Sequence, residues 1–421
     1  MKYARQEAGG KVIFIFKDPD AWLATTPEKA GDIEAGISSH PEKVLTLLSN
    51  IKKNSRAPVA EHLALYPVIK ITNRCNLNCS HCYIEAMNSM RKAKFDLNLD
   101  EVSGFLNYIT KLGEELGNPT RTVQLFGGEP TLSGIFLDVI KMARDMNLLV
   151  RVSTNAASSK HFQSSAFTEL YKDRGIEWRV SLESHLEEIH DQIRANSYQH
   201  IVRNLHHMIE SGAFVSIKTV VGPHNVASFI DTLYFARSIG ATQFLYSPLS
   251  MTGAATRMRL LNRITTKSIN QRVAEALEKD PTIGPFIQSS PLARYLKVIY
   301  TRNPGILPRV QYHINHDGKI SPQDNLYEIP EFHFGDIGMR DYDLDKLKEY
   351  QERLERPEAC RQCPVDYYCP RGDYADLARK EGGEAEFTDA FSVCDEIRDN
   401  VYQLMSLGER GVKLTEYIFG K

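Results

Sequence analysis

The sequence predicts an α/β fold: a partial (β/α)6 TIM-like barrel with an N-terminal extension and a small C-terminal domain. Three observations point there. Between residues 67 and 250, six short runs rich in β-branched and aromatic residues alternate with amphipathic helical stripes, as in a parallel sheet covered by helices. Six such units rather than eight leave a barrel open on one side. The seven cysteines divide without remainder into three at 75–82 and four at 360–394, so two separate regions carry the thiols.

Bulk properties narrow the classes. At 421 residues the chain exceeds one comfortable core, and two or three domains are expected. Hydrophobic residues make up 42% and charged residues 25%, ordinary values for a globular protein. A net charge of −2 gives no electrostatic case for nucleic acid or an anionic membrane as the main partner. The opening MKYARQEAGGKVIFIFKDPD lacks the apolar core of a signal peptide, and no apolar stretch reaches membrane-spanning length. A cytoplasmic protein is expected, in which clustered cysteines bind metal rather than form disulfides.

The elements follow in order. Residues 1–66 hold a β-type run, Val12–Phe16, and a helix around 41–50; they form either an extension on the main domain or a small module of their own. The barrel, 67–250, takes its strands from Val68–Ile71, Val123–Phe126, Leu148–Val152, Trp178–Leu182, Phe214–Val221 and Phe244–Tyr246. Its helices show as Phe136, Val139, Ile140 and Ala143, as Ile201, Leu205, Met208 and Ile209, and as Val226, Phe229, Ile230, Leu233 and Ala236. Residues 251–304 read as a helical linker whose basic positions (Arg257, Arg259, Arg263, Lys267) form a solvated face. Residues 305–400 start with a hairpin region rich in Gly, Pro, His and Asp and lead into the second cysteine group. Residues 401–421 form a C-terminal helix.

Chemistry in such a barrel gathers at the carboxyl ends of the strands. Cys75, Cys79 and Cys82 follow the first strand; Gly127, Gly128, Glu129 and Pro130 follow the second. Ser153-Thr154-Asn155 ends the third, and Ser181-Leu182-Glu183-Ser184 ends the fourth. The four motifs converge on one rim. C-x3-C-x2-C supplies three thiolates without a fourth, enough for three irons of a cubane whose last iron stays open to an exogenous ligand. His81 lies between two of these cysteines as a neighbour, not a fourth ligand. Cys360, Cys363, Cys369 and Cys394 supply four thiolates, enough for a tetrahedral zinc or a complete cubane; read alone, they favour zinc.

With Tyr83 after the last cysteine, the first group resembles that of the radical S-adenosylmethionine enzymes. In that family the cofactor's methionine moiety chelates the open iron of a 4Fe–4S cluster, and cleavage of the sulfonium releases a 5′-deoxyadenosyl radical that takes a substrate hydrogen atom. Gly127-Gly128-Glu129-Pro130 matches the family's GGEP motif, in which Glu129 accepts hydrogen bonds from the methionine ammonium. Ser153-Thr154-Asn155 resembles the strand end that contacts ribose. "SLESHLEEIHDQIR", 181–194, resembles the segment whose serine and arginine hold the cofactor, here Ser181 and Arg194. Glu183-Ser184 departs from the Asp-Gly of many relatives.

Beside that core, the second group resembles a SPASM/Twitch extension. The resemblance implies one auxiliary 4Fe–4S cluster on Cys360, Cys363, Cys369 and Cys394, with zinc as the alternative. A full SPASM domain uses further cysteines; Gln323 and Asp373 stand at two of those places. Asp324 occupies the position of a base in some relatives, or is a hairpin-turn aspartate. The resemblance implies maturation of a ribosomally made precursor peptide by oxidative cross-linking, an electron donor such as flavodoxin or ferredoxin, and residues 1–66 as a peptide-recognition module. The alternatives are the same chemistry on a sugar or aminoglycoside intermediate, and a non-catalytic iron–sulfur or zinc protein.

Overall fold

The computed structural model describes residues 3–17, 20–46, 64–83, 96–250, 254–255, 258, 264–301, 309–321, 330–342, 362–365, 368–369, 378–381, 384–387 and 394–420. Six strands lie side by side and parallel: β4 (Ala64–Thr72), β5 (Thr122–Gly127), β6 (Leu149–Thr154), β7 (Ile176–Ser181), β8 (Phe214–Val221) and β9 (Gln243–Pro248). Each run expected from the sequence falls on one of them.

The strands alternate instead of being apolar throughout. On β7, Ile176, Trp178 and Val180 are fully buried against the helices, while Glu177, Arg179 and Ser181 face the other way. Trp178 packs against Phe136, Phe162, Phe167 and Tyr171. The opposite face carries a polar network across four strands. Glu177 accepts from Arg151 Nε (2.9 Å), Arg179 Nε (2.8 Å) and Ser216 Oγ (2.9 Å), and Arg151 Nη1 donates to Tyr66 Oη (3.1 Å). A sheet that closes partway on itself has an inner face as well as a helix-packed one, and here the inner face is polar.

The helices that cover the sheet are α2 (Leu99–Glu115), α3 (Phe136–Asp145), the short α4 (Ser159–Phe162) and α5 (Ser165–Tyr171), α6 (Glu187–Arg194), α7 (Tyr198–Glu210) and α8 (Phe229–Ser238). The start of α2 is fixed by a capping box, Asn98 Oδ1 accepting from Glu101 N while Glu101 Oε2 accepts from Asn98 N.

A seventh parallel strand, β10 (Arg309–Ile314), pairs with β4 on the side opposite β5. It turns back through Gly318 (φ 92°) into β11 (Lys319–Ser321), and β12 (Gly335–Asp336) and β13 (Asp341–Tyr342) extend the ladder. The hairpin region expected near 305–340 is thus part of the barrel sheet. It covers a strand that would otherwise present unpaired amides and carbonyls.

At the N-terminus, β1 (Tyr3–Ala8), β2 (Lys11–Lys17) and β3 (Asp20–Thr25) form an antiparallel sheet, followed by α1 (Pro27–Ser39) and a helical turn at 41–46. The sequence predicts one strand here; β1 is hidden because YARQEA lacks an apolar run, and β3 because two of the four apolar residues in DAWLAT are alanines, poor strand formers. Val12, Phe14 and Phe16 pack with Ala30 and Ile37 of α1. Ile13 and Ile15, on the other face, join the main core. Trp22 donates from Nε1 to the Ile299 carbonyl (3.3 Å) and sets its ring edge-on to Tyr300. Helices α9 (Thr266–Lys279), α10 (Pro291–Leu296), α11 (Cys394–Met405) and α12 (Glu409–Phe419) complete the described core. Among the described residues, no helix is long and apolar enough to cross a membrane.

Candidate functional site

The chain leaves β4 at Thr72 and enters the cysteine loop within three residues. Two backbone bonds lock this loop to the end of β5: Gly128 N donates to Thr72 O (3.0 Å) and Glu129 N to Arg74 O (2.7 Å). The approach explains the two glycines. A Cβ on Gly127 would collide with the Thr72 carbonyl oxygen, and one on Gly128 with the Arg74 carbonyl oxygen. The glycine pair is therefore required by the cysteine loop itself. Ser80 N adds a third tie, to Ile193 O at the end of α6 (2.9 Å).

Two of the three thiols have polar company. Leu77 N and Asn155 Nδ2 lie 3.4 and 3.8 Å from Cys75 Sγ, and Arg194 Nη1 lies 3.8 Å from Cys79 Sγ. Burial, with the neighbouring Glu129 and cysteines, pushes the Cys75 thiol up to about 11; burial raises Cys79 as well, although Arg194 opposes it. Thiols of this kind stay protonated at neutral pH until a metal displaces the proton. Among the described residues no three His, Cys, Asp or Glu side chains converge as ligands of one ion would. Three free thiols on one loop, able to give three irons a sulfur each, are a donor set that fits an iron–sulfur cluster.

Glu129 is fully buried beside the loop. Its Oε1 accepts from Thr131 Oγ1 and Thr154 Oγ1 (2.7 Å each), and its Oε2 from Asn155 N (2.7 Å). Burial raises its pKa, and these hydrogen bonds oppose the rise. A cation brought alongside would favour the ionised form. Pro130 opens a short 3-10 turn that Glu129 caps. Asn155 also donates to Asn76 Oδ1 (2.9 Å), joining β6 to the cysteine loop. Ser153 accepts from Gln124 Nε2 (3.4 Å) on the inner face. Ser181 is half-buried at the end of β7, and Tyr83 is 37% exposed at the end of the cysteine loop.

The end of β7 holds an arrangement that motif reading missed. The Glu183 carboxylate is fully buried. Oε1 accepts from Arg194 Nε (2.7 Å) and lies 3.4 Å from His81 Nε2; Oε2 accepts from Val220 N (2.8 Å). Burial alone would raise its pKa, but Arg194 and His81 hold it far below the usual carboxylate range. The Arg194 guanidinium thus spans Glu183 through Nε and Cys79 through Nη1. His81 turns toward Glu183, away from any place in a thiolate set. Its position between two cysteines, and the departure from Asp-Gly at 183–184, were the available signals. His190 Nδ1 accepts from Glu183 N (3.2 Å) and Asn225 Nδ2 donates to Glu183 O (2.8 Å), fixing the loop from both sides.

In the second cysteine group, Cys363, Cys369 and Cys394 are partly buried and pack on the main core, with Cys394 opening α11. Cys360, Gln323, Asp324, Asp373, Arg257, Arg259 and Arg263 lie outside the described residues; Lys267 sits in the first turn of α9.

Residues 69–236 match the sequence model of the Radical SAM superfamily. The chain carries a radical SAM domain. The radical SAM span runs from β4 into α8 and so contains every rim motif described above. Beyond it, the chain is similar to 7,8-dihydro-6-hydroxymethylpterin dimethyltransferase of Methanocaldococcus jannaschii, 24% identical over 284 residues, which cover 63% of this chain and 54% of that protein. It is also similar to the antilisterial bacteriocin subtilosin biosynthesis protein AlbA of Bacillus subtilis, 26% identical over 191 residues, 44% of this chain and 39% of that protein. The chain spans about half the length of the curated relatives it matches. Among solved structures, Streptococcus suis SuiB bound to precursor peptide SuiA superposes with a TM-score of 0.58 at 15% identity, covering 93% of this chain and 98% of that one. At that identity the likeness is one of fold: an α/β radical SAM fold with a parallel sheet.

Proposed function

We propose that this chain is a radical SAM enzyme that matures a ribosomally made peptide, by oxidative cross-linking. The observation that carries the proposal is the meeting of three thiols, Glu129, Asn155 and Arg194 on one barrel rim inside the radical SAM span. When bound, the cluster and S-adenosylmethionine would supply the radical chemistry, reductive cleavage of the sulfonium and abstraction of a substrate hydrogen atom.

The chain's own residues bind and orient. Cys75, Cys79 and Cys82 hold the cluster. Glu129 accepts the methionine ammonium, which supplies the cation its buried carboxylate favours. Arg194 turns its remaining Nη2 toward the methionine carboxylate. Ser153, Asn155 and Ser181 hold the polar groups of the nucleoside, and Tyr83 and Pro130 line the approach with Gly127 and Gly128. Cys360, Cys363, Cys369 and Cys394 would hold an auxiliary cluster able to accept the substrate's electron, while a flavodoxin or ferredoxin would supply the electron to the cluster on Cys75, Cys79 and Cys82. Asp324 is the candidate base. The outer strand β1, with mostly exposed side chains, is an edge of its sheet among the described residues, to which a leader peptide adds as a further strand.

A relative named for bacteriocin biosynthesis and a fold neighbour bound to its precursor peptide favour the peptide reading. A second reading is the same chemistry on a small molecule. It is favoured by the longer of the two reported sequence alignments, with a protein named for a pterin substrate. Anaerobic reconstitution with reductant tests the enzyme: 5′-deoxyadenosine is expected, and its absence refutes the proposal. Co-expression with peptides encoded beside the gene tests the substrate. Loss of two hydrogens per modification is expected; unchanged peptides alongside turnover of a small-molecule panel transfer the assignment to the second reading.

A further inference from the structure

Glu183 grips the cysteine loop from behind. One carboxylate oxygen touches both Arg194 Nε (2.7 Å) and His81 Nε2 (3.4 Å), and His81 stands between Cys79 and Cys82 in the chain. The other oxygen is anchored on β8 through Val220 N (2.8 Å). The guanidinium gripped this way extends Nη1 to Cys79 Sγ (3.8 Å). The side chains of Glu183 and Arg194 are 0% and 12% exposed, so water screens the pair little.

We propose that Glu183 is a positioning residue that sets the reduction potential of the cluster on Cys75, Cys79 and Cys82, through the guanidinium it holds against Cys79. The inference rests on the cluster assignment above. Reduction adds a negative charge to the cluster. A cation and an N–H donor at a ligating sulfur favour the reduced form and raise the potential; a buried carboxylate at their back opposes this. Glu183 therefore acts twice, with opposite signs: it orients the donor and cancels its charge.

The two effects separate by substitution. Glu183→Gln keeps the shape and removes the charge, which leaves the Arg194 cation uncompensated beside Cys79. Glu183→Asp keeps the charge but shortens the reach. With the carboxylate still anchored on Val220 N, it draws Arg194 off the sulfur.

The test is redox titration of the anaerobically reconstituted full chain, followed by electron paramagnetic resonance. The signal to follow is the one whose g values change on adding S-adenosylmethionine, which separates this cluster from any other iron. The midpoint potential is expected to rise in Glu183→Gln and to fall in Glu183→Asp. Unmoved potentials, or shifts of the same sign, overturn the inference while leaving the cluster assignment intact. If Glu183→Gln fails to retain iron, Glu183→Asp decides alone: a lower potential supports the proposal, an equal or higher one refutes it. Loss of iron from both variants marks Glu183 as a packing residue and refutes it also. A wild-type protein without any signal responsive to S-adenosylmethionine refutes the cluster assignment, and this inference with it.

Discussion

Lowering the pH from 7 to 4 drives a proton onto His190, and the structure sets the penalty. The ring is buried. Its Nδ1 accepts from Glu183 N (3.2 Å), and its Nε2 donates to Ser197 Oγ (3.2 Å), whose hydroxyl passes on to Arg194 O (2.7 Å). This chain fixes the neutral tautomer; a second ring proton on Nδ1 would point at the Glu183 amide. Burial, reinforced by Arg194 and His81 and opposed by the Glu183 and Asp191 carboxylates, lowers the pKa from 6.5 to about 4. In that interval the unfolded ring holds a proton and the folded one does not. The stability His190 contributes is thus complete above pH 6.5 and is lost as the pH falls through 4. At about 1.4 kcal/mol per pH unit this amounts to about 3 kcal/mol. The assay is urea unfolding of the metal-free, reduced protein at pH 7 and pH 4, compared with His190→Asn, whose side-chain oxygen still accepts from Glu183 N. Other groups titrate in both proteins and cancel in the comparison. The wild type is expected to lose about 3 kcal/mol more than the variant; equal losses would refute the argument.

Three further outcomes are expected. Glu129→Ala strands the Asn155 and Thr131 amides and two threonine hydroxyls, and should lower stability by about 3 kcal/mol, read from the urea midpoint; a change below about 1 kcal/mol would show that the carboxylate network holds nothing together. Gly128→Ala forces the backbone off Arg74, one residue before Cys75, and should reduce iron bound per chain and abolish the spectral response to S-adenosylmethionine; unaltered iron and response would contradict the steric reading. Trp22→Ala removes the Ile299 hydrogen bond and the Tyr300 contact, should lower stability by about 3 kcal/mol, and should speed proteolytic release of the N-terminal sheet; unchanged cleavage would show that Ile13 and Ile15 hold it alone.

The six barrel strands were legible because each carries a compact apolar run. What stayed hidden was their inner face: Glu177 and Arg179 are the alternate residues of a strand whose second side is polar. The pairing of β10 with β4 joins segments more than 200 residues apart, and no local pattern encodes that register. At the site, the rule that strand ends carry chemistry picked out stretches that lie together in the structure, from Cys75 to Arg194. It did not show why the residues sit as they do. Gly127 and Gly128 answer to the cysteine loop's own backbone, and Arg194 is tied to Glu183, which pattern matching had marked only as a departure. Both facts depend on distances between loops, which spacing along the chain does not contain.

The β10–β4 ladder also decides how this protein can be cut. The span the superfamily shares starts at β4 and ends in α8. A fragment that kept β4 but ended in α8 would leave behind the segment that hydrogen-bonds to β4 and bare the backbone groups of the six residues paired with it, Ala64–Ile69, just upstream of the cysteines. Such a fragment would stick to its own copies before it assembled a cluster. The shared span is a unit of descent but not of folding, and working variants will need residues 309–321 kept in place.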